Sequence, residues 1–446
     1  MSANPAETAA ETPPERAAPA TATSTGTTDT SAAEAAVRRH RAAMRRAWRW
    51  YSAALAALLV AVGVLVGVVW ANSDAAHTTL RTASTPAPTL QAAAPAAHPQ
   101  LAWQSDDTAA LNAPFVDGTV VTYSAHTVTG RDARTGDAVW TYTRSNVAVC
   151  AVAQAGGVTV AFYDSHCDQV TALDSDTGER VWTRTLDQDA GTIDGRPQLL
   201  ATSDTIFIWT DSVLYAIDTG GGLNRWMLSA DPGCAFTGLA PGQGGVLVAE
   251  RCDAGEQLLL RDRYSGTDDK ATTDDGKQRI AWRVAANGVT PVAADDVALG
   301  YDSAAQQLVA YDLGDGAALG NTPLSPAPSA AAALSPGGIA RAALQGAEAV
   351  WIGDRVYLLG GTGSTVLWSA PAAAPPTVIS TAEGFATPDV NSAALLVPTG
   401  TAIDQLGASN GRPAASYPVP AESNALVYRL GTGFLTSVDG RTEVYL

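Results

Sequence analysis

Charge is scarce in this 446-residue sequence: 16% of residues are charged, against 46% hydrophobic. Such a chain cannot be disordered throughout, because it carries ample apolar surface to offset the entropy of ordering it. Positive charge is scarcer still, with 27 Lys and Arg against 44 Asp and Glu and a formal net charge of −17. Phosphate binding needs a basic face, so nucleic acid is excluded as a partner for most of the chain. Cysteine is limited to four residues. No two are adjacent and no CxxC occurs, which argues against a catalytic dithiol. The same absence, with no nearby His set, leaves a zinc site unsupported, and no CxxCH is present for a c-type haem. Residues 2–36 lack Val, Ile, Leu, Phe, Tyr and Trp altogether, so no core can form there.

Residues 1–36 are therefore expected to be a disordered tail. The spacing Ser31-Ala-Ala-Glu34 matches a capping box, and the Ala- and Arg-rich run that follows has high helix propensity. Residues 37–51 read as a basic juxtamembrane helix carrying Arg38, Arg39, Arg41, Arg45, Arg46 and Arg49 with no acid among them. Residues 52–71 contain no charge and at 1.5 Å per residue span about 30 Å, the thickness of a hydrocarbon core. They read as one transmembrane helix, flanked by Trp48, Trp50 and Tyr51 on one side and Trp70 on the other. Arginine beside a span stays cytoplasmic, which predicts residues 1–50 inside and everything after Asn72 outside, at the plasma membrane. A cleaved signal peptide is the rival reading, but its apolar region is usually about 7–15 residues. Residues 72–100 are rich in Ala, Thr and Pro and read as an extended linker that holds the next domain off the bilayer.

Beyond residue 100 one unit recurs: a short apolar strand ending in Asp, a tight turn closing on Gly, and a strand bearing Trp. It appears at Asp132, Gly136 and Trp140, at Asp174, Gly178 and Trp182, and at Asp218, Gly222 and Trp226. Asp262 to Gly266 and Asp312 to Gly316 keep the spacing but lose Trp at that offset, and Leu406 to Gly411 is a weaker copy. The Asp positions recur at intervals of 42, 44, 44 and 50 residues, a length suited to four short antiparallel strands, or one propeller blade. Spread over residues 101–446, eight blades take about 43 residues each. The expected fold is all-β: an eight-bladed β-propeller of four-stranded antiparallel blades over 101–446, preceded by one transmembrane helix and a disordered tail. The chain ends in three strand-like runs, 425–430, 433–438 and 441–446, while Leu101-Ala-Trp103 supplies an orphan strand. One blade built from both termini would close the ring and remove exposed edges.

The run Ala172-Leu-Asp-Ser-Asp-Thr-Gly-Glu-Arg-Val-Trp182 resembles the repeat of the PQQ-like β-propeller family. That family includes quinoprotein alcohol dehydrogenases and the propeller lipoprotein of the bacterial outer-membrane barrel-assembly machinery. The resemblance covers roughly residues 101–446, and the composition, with two Lys among 27 basic residues, also resembles that of high-G+C actinobacterial proteins. It implies that the repeat Trp residues pack between blades as structure. The quinoproteins use a vicinal Cys-Cys disulfide, a Trp platform and Glu, Asn and Asp ligands to Ca²⁺; none of these can be carried over, so no catalytic residue, metal or cofactor is expected.

Cys150, Cys167, Cys234 and Cys252 lie on the outer side by the topology argument, where disulfides persist. In a four-strand meander the start of the first strand lies beside the turn joining the second and third. Cys150 and Cys234 fall at such starts and Cys167 and Cys252 in such turns, so Cys150–Cys167 and Cys234–Cys252 are the favoured bridges among three connectivities. His126 and His166 fall in turns, where a solvated histidine is the ordinary reading. Asp268, Asp269, Asp274 and Asp275 cluster in a lengthened hairpin that matches no EF-hand loop and reads as solvated. Partner recognition is expected on the face of the bridged turns, with His126, His166, Asp168 and Asp253 as candidates; the alternative is that the bridges only stabilise an exported domain. The sequence thus suggests a membrane-anchored, non-catalytic binding or scaffolding module for a protein or envelope component. A degenerate quinoprotein or other extracytoplasmic enzyme is the alternative.

Overall fold

The computed structural model describes residues 30–446 apart from 72, 92, 113–114, 165, 187–197, 203, 262–279, 330–338, 361–362, 364, 381–387, 423–424 and 439. The chain divides into two compact units, Met1–Ser73 and Asp74–Leu446. The first contains one continuous helix, α1 (Thr30–Ala71, 42 residues). The helix begins beside the capping box at Ser31–Glu34, where its spacing predicts a start, and so includes residues 30–36 that were also expected to belong to the tail. No break separates the basic part from the apolar part. From Val37 to Ala71 α1 is long and apolar enough to cross a membrane, and Leu59, Val60 and Leu65 point outward with more than half their surface exposed.

The second unit is an eight-bladed propeller of antiparallel sheets. Blade 2 spans 149–185, blade 3 198–229, blade 4 234–285, blade 5 289–323, blade 6 339–371 and blade 7 377–417, each with four strands in chain order. Blade 1 spans 108–144. Blade 8 joins 426–445 to the N-terminal strand Leu101–Ser105, which pairs with Arg441–Tyr445 as Leu101↔Tyr445 and Ser105↔Thr442. The orphan strand therefore closes the ring. Second and third strands are covered on both sides by neighbouring blades, so they bury most of their residues, and all of them in Thr205-Ile-Phe-Ile-Trp209. Outer fourth strands, such as Asn224–Ser229, alternate buried and open positions.

Strand direction gives the propeller two different faces. First-strand starts, turns between second and third strands, and fourth-strand ends lie on one, the bridged face. Turns between third and fourth strands lie on the other, the latch face. There the repeat explains itself. Asp132 Oδ1 accepts the N–H groups of Arg134 and Thr135, and Asp174 Oδ1 those of Asp176 and Thr177, which closes a turn whose last residue is Gly. Gly178 has φ +72°, and a Cβ there would come within 2.7 Å of the Trp140 ring. Glycine serves both the left-handed backbone and the close approach. Trp140 Nε1 donates to Ser175 O at 2.9 Å, Trp182 Nε1 to Thr219 O at 2.9 Å, and Trp103 Nε1 to Ala133 O at 3.0 Å. Each Trp thus docks on the turn of the next blade, and Trp103 carries the same latch across the closure.

Two copies that looked degenerate keep this device. Trp282 docks on Gly316 and Trp368 on Gly411, their Nε1 atoms donating to Leu313 O and Ala408 O. The turn from Asp262 to Gly266 lies outside the described residues.

The expected free linker, residues 72–100, is corrected by the structure: from Asp74 onward it packs on the propeller. Thr78–Arg81 adds an outer edge strand to blade 1, paired with Ala138–Arg144. Asp74 Oδ1 accepts from Arg144 Nη2 at 2.7 Å. Ala83 N donates to Thr177 O at 2.8 Å and Leu90 N to Asp117 O at 3.0 Å, carrying the strap across the latch face to blade 8. Proline-rich composition fits this path, because an extended segment with few donors can lie on a surface through carbonyls and apolar contacts.

Candidate functional site

The bridged face is built by hydrogen bonds that tie each turn to the neighbouring inter-blade connection. In blade 1, His126 Nδ1 donates to Val147 O at 2.8 Å, Arg144 N to His126 O at 3.0 Å and Val149 N to Ala125 O at 2.8 Å. In blade 2, Asp164 N donates to Ala148 O at 3.0 Å and Leu186 N to Asp168 O at 2.7 Å. Both expected cysteine pairs, Cys150–Cys167 and Cys234–Cys252, stand at disulfide distance, with Cα separations of 5.8 and 4.0 Å. Cys252 closes the second strand of blade 4 instead of lying in the turn, and it is the register partner of Cys234.

The four candidate contact residues are not equivalent. His126 and His166 are exposed on neighbouring blades. Asp253 is exposed two blades further on, its N–H donating to Gly233 O at 3.1 Å. Asp168 is corrected: it is 4% exposed and faces inward, so it supports the turn and does not present a contact surface. Asp268, Asp269, Asp274 and Asp275 lie outside the described residues.

Blade 4 adds what sequence reading missed. Beside its bridge a cleft of about 530 Å³ opens, lined by Asp231, Cys234, Cys252, Asp253, Glu256 and Arg283 among others. Arg283 pairs with Asp231 across the rim. Glu256 accepts from Gly288 N at 2.6 Å and from Arg251 Nε at 2.7 Å. These donors, Gly288 first, hold its carboxyl below the usual range. Beneath the cleft Glu250 is almost fully buried, and that burial pushes its carboxyl up. A signal for it was present. In Val246-Leu-Val-Ala-Glu-Arg-Cys252 the alternate positions Val246 and Val248 face the apolar packing between blades, and Glu250 is next in that row. The arrangement offers fixed donors and acceptors around an open cleft.

A closed ring of eight blades, with a Trp docked on the turn glycine of the next blade at five junctions among the described residues, defines a repeat propeller. The family model described as outer membrane protein assembly factor BamB matches residues 91–317 and, overlapping, 170–391. The chain belongs to this PQQ-like propeller family. The fold is similar to that of BamB from Moraxella catarrhalis, at TM-score 0.44 and 14% identity over 78% of this chain and 99% of that one. It is similar also to the computationally designed Ika8 protein (0.47, 13%, 79% and 100%) and to the C-terminal WD40 domain of Sif2 (0.46, 9%, 78% and 97%). No curated protein matches the sequence.

Proposed function

We propose that the protein is a membrane-anchored, extracytoplasmic, non-catalytic binding module whose bridged face holds a protein component of the cell envelope. The observation that carries the reading is a preformed turn surface, fixed by two bridges and by backbone hydrogen bonds to the inter-blade connections, with an open cleft beside Cys234–Cys252. Pre-ordered turns lower the ordering cost of association. An outer membrane protein assembly factor as the family's description suggests a protein partner in the envelope for this chain too. The orientation rests on the six arginines from Arg38 to Arg49 that precede the apolar part of α1, and on the oxidising compartment in which disulfides persist.

Protease added to intact spheroplasts is expected to digest the propeller and spare the basic N-terminal segment; protection of the propeller would refute the orientation. Crosslinking in intact cells is expected to trap a defined envelope protein on the propeller. Addition of pyrroloquinoline quinone is expected to leave absorbance and melting temperature unchanged, and a saturable change in either would favour the quinoprotein alternative.

A further inference from the structure

The Cys234–Cys252 bridge differs from its counterpart in having a third donor beside it. Glu250 lies two residues before Cys252 on one strand, so its side chain leaves the sheet on the same side. The two sulfurs and a Glu250 carboxylate oxygen all lie within 4.8 Å of one another. Glu250 is 1% exposed. Gln257 Nε2 donates to its Oε2 at 2.7 Å, and Oε1 has no hydrogen-bond partner. A carboxylate in such a place is costly unless a cation or further donors meet it.

We propose that, once the Cys234–Cys252 bridge is reduced, the two thiolates and Glu250 form a binding site for a zinc-class divalent cation. The opening step is thiol–disulfide exchange with a dithiol reductant. The S–S bond breaks, the reductant becomes a disulfide, and its two electrons and two protons leave Cys234 and Cys252 as thiols. The cation then displaces both thiol protons to solvent. Two thiolates, one carboxylate and a water make a four-coordinate set of the kind zinc accepts, and thiolates select against Mg²⁺ and Ca²⁺. The bridge borders the cleft of about 530 Å³, which gives reductant and ion a way in. Among the described residues no comparable group of three donors includes Cys150 or Cys167, and Cys167 is buried. The inference does not rest on the proposed partner role.

The test uses tag-free, full-length protein in detergent, reduced with a phosphine, desalted without oxygen and titrated with Co²⁺. Thiolate-to-cobalt absorption is expected to saturate at one ion per chain and to be bleached by Zn²⁺. Oxidised protein should show none. C150S/C167S should bind as the wild type does, and Glu250→Gln should bind at least tenfold more weakly. In the reduced wild type, Zn²⁺ should slow alkylation of Cys234 and Cys252 and leave the rates at Cys150 and Cys167 unchanged, a readout that needs no variant. Absence of cobalt absorption with both blade-4 thiols titratable would overturn the proposal, as would unweakened binding by Glu250→Gln or loss of binding in C150S/C167S.

Discussion

The latch face and the bridged face use different chemistry for different ends. On the latch face the contacts are local, repeated and inward: Trp140 on Gly178, Trp182 on Gly222, Trp282 on Gly316, with the strap from Ala83 onward laid over the turns of blades 1 and 2. On the bridged face the turns are fixed by covalent bridges and backbone bonds, yet His126, His166 and Asp253 remain exposed. The first arrangement fastens neighbouring blades through repeated Trp contacts. The second fixes turns through bridges and backbone bonds and leaves His126, His166 and Asp253 open. On the proposed reading, stability and recognition fall at opposite ends of the same strands, so substitutions on the two faces should separate in what they change.

The largest effect is expected on the latch face. Trp140 is fully buried and donates to Ser175 O, so Trp140→Ala should lower stability by about 3–5 kcal/mol. Denaturant unfolding of the detergent-solubilised chain checks it, and partner capture by the surviving folded fraction should be unchanged. A loss under 1 kcal/mol would mean that the latch is not what holds adjacent blades. On the bridged face, closing loops of 17 and 18 residues contributes about 3 kcal/mol per bridge in the chain-entropy model. C150S/C167S and C234S/C252S should each lose that much, but partial reduction should separate them. Cys167 is buried whereas Cys234 and Cys252 are half-buried and line the open cleft, so alkylation mapping should label Cys234 and Cys252 first.

Gly118→Ala tests the strap. A Cβ there would strike the Pro88 carbonyl, and the clash should cost about 1–3 kcal/mol and make residues 82–99 more sensitive to limited proteolysis. Equal sensitivity would mean that the strap does not depend on this contact.

The smallest effect is a pH dependence on the latch face. Burial pushes the Glu348 carboxyl up to about 7, opposed by Arg341 and reinforced by Asp295 and Asp296. A carboxyl raised in the folded state binds protons there more tightly than in the unfolded chain. Its contribution to stability is therefore complete below about pH 4.5 and is lost as pH rises through about 7. Glu348→Gln should flatten that part of the stability curve, measured as unfolding midpoint against pH. An unchanged slope would exclude Glu348 as its source.

The repeat architecture was legible because Asp, Gly and Trp each serve a geometric need that fixes their spacing, so 42–44-residue intervals read directly as blades. The bridges were legible for the same reason, since Cys150 and Cys234 occupy equivalent strand starts. The path of residues 74–100 was not. Its Ala and Pro residues make few specific side-chain contacts, and what holds it is backbone pairing with Ala138–Arg144 and with turn carbonyls, which leaves no pattern in the sequence. Asp168 looked like a surface acid because it follows a Cys in a polar turn, but the turn folds it inward. Glu250 was visible only as a charge in an apolar row, and the bridge that gives it meaning comes from a partner strand.

The assignment of recognition to one face is tested most directly by position-resolved photocrosslinking in intact cells. A photoreactive residue replaces His166 or Asp253 on the bridged face, and Asp137 or Glu179 on the latch face, all four being exposed. The account predicts that one envelope protein is captured from positions 166 and 253 and not from 137 and 179; equal capture from both faces, or capture from the latch face alone, would contradict it.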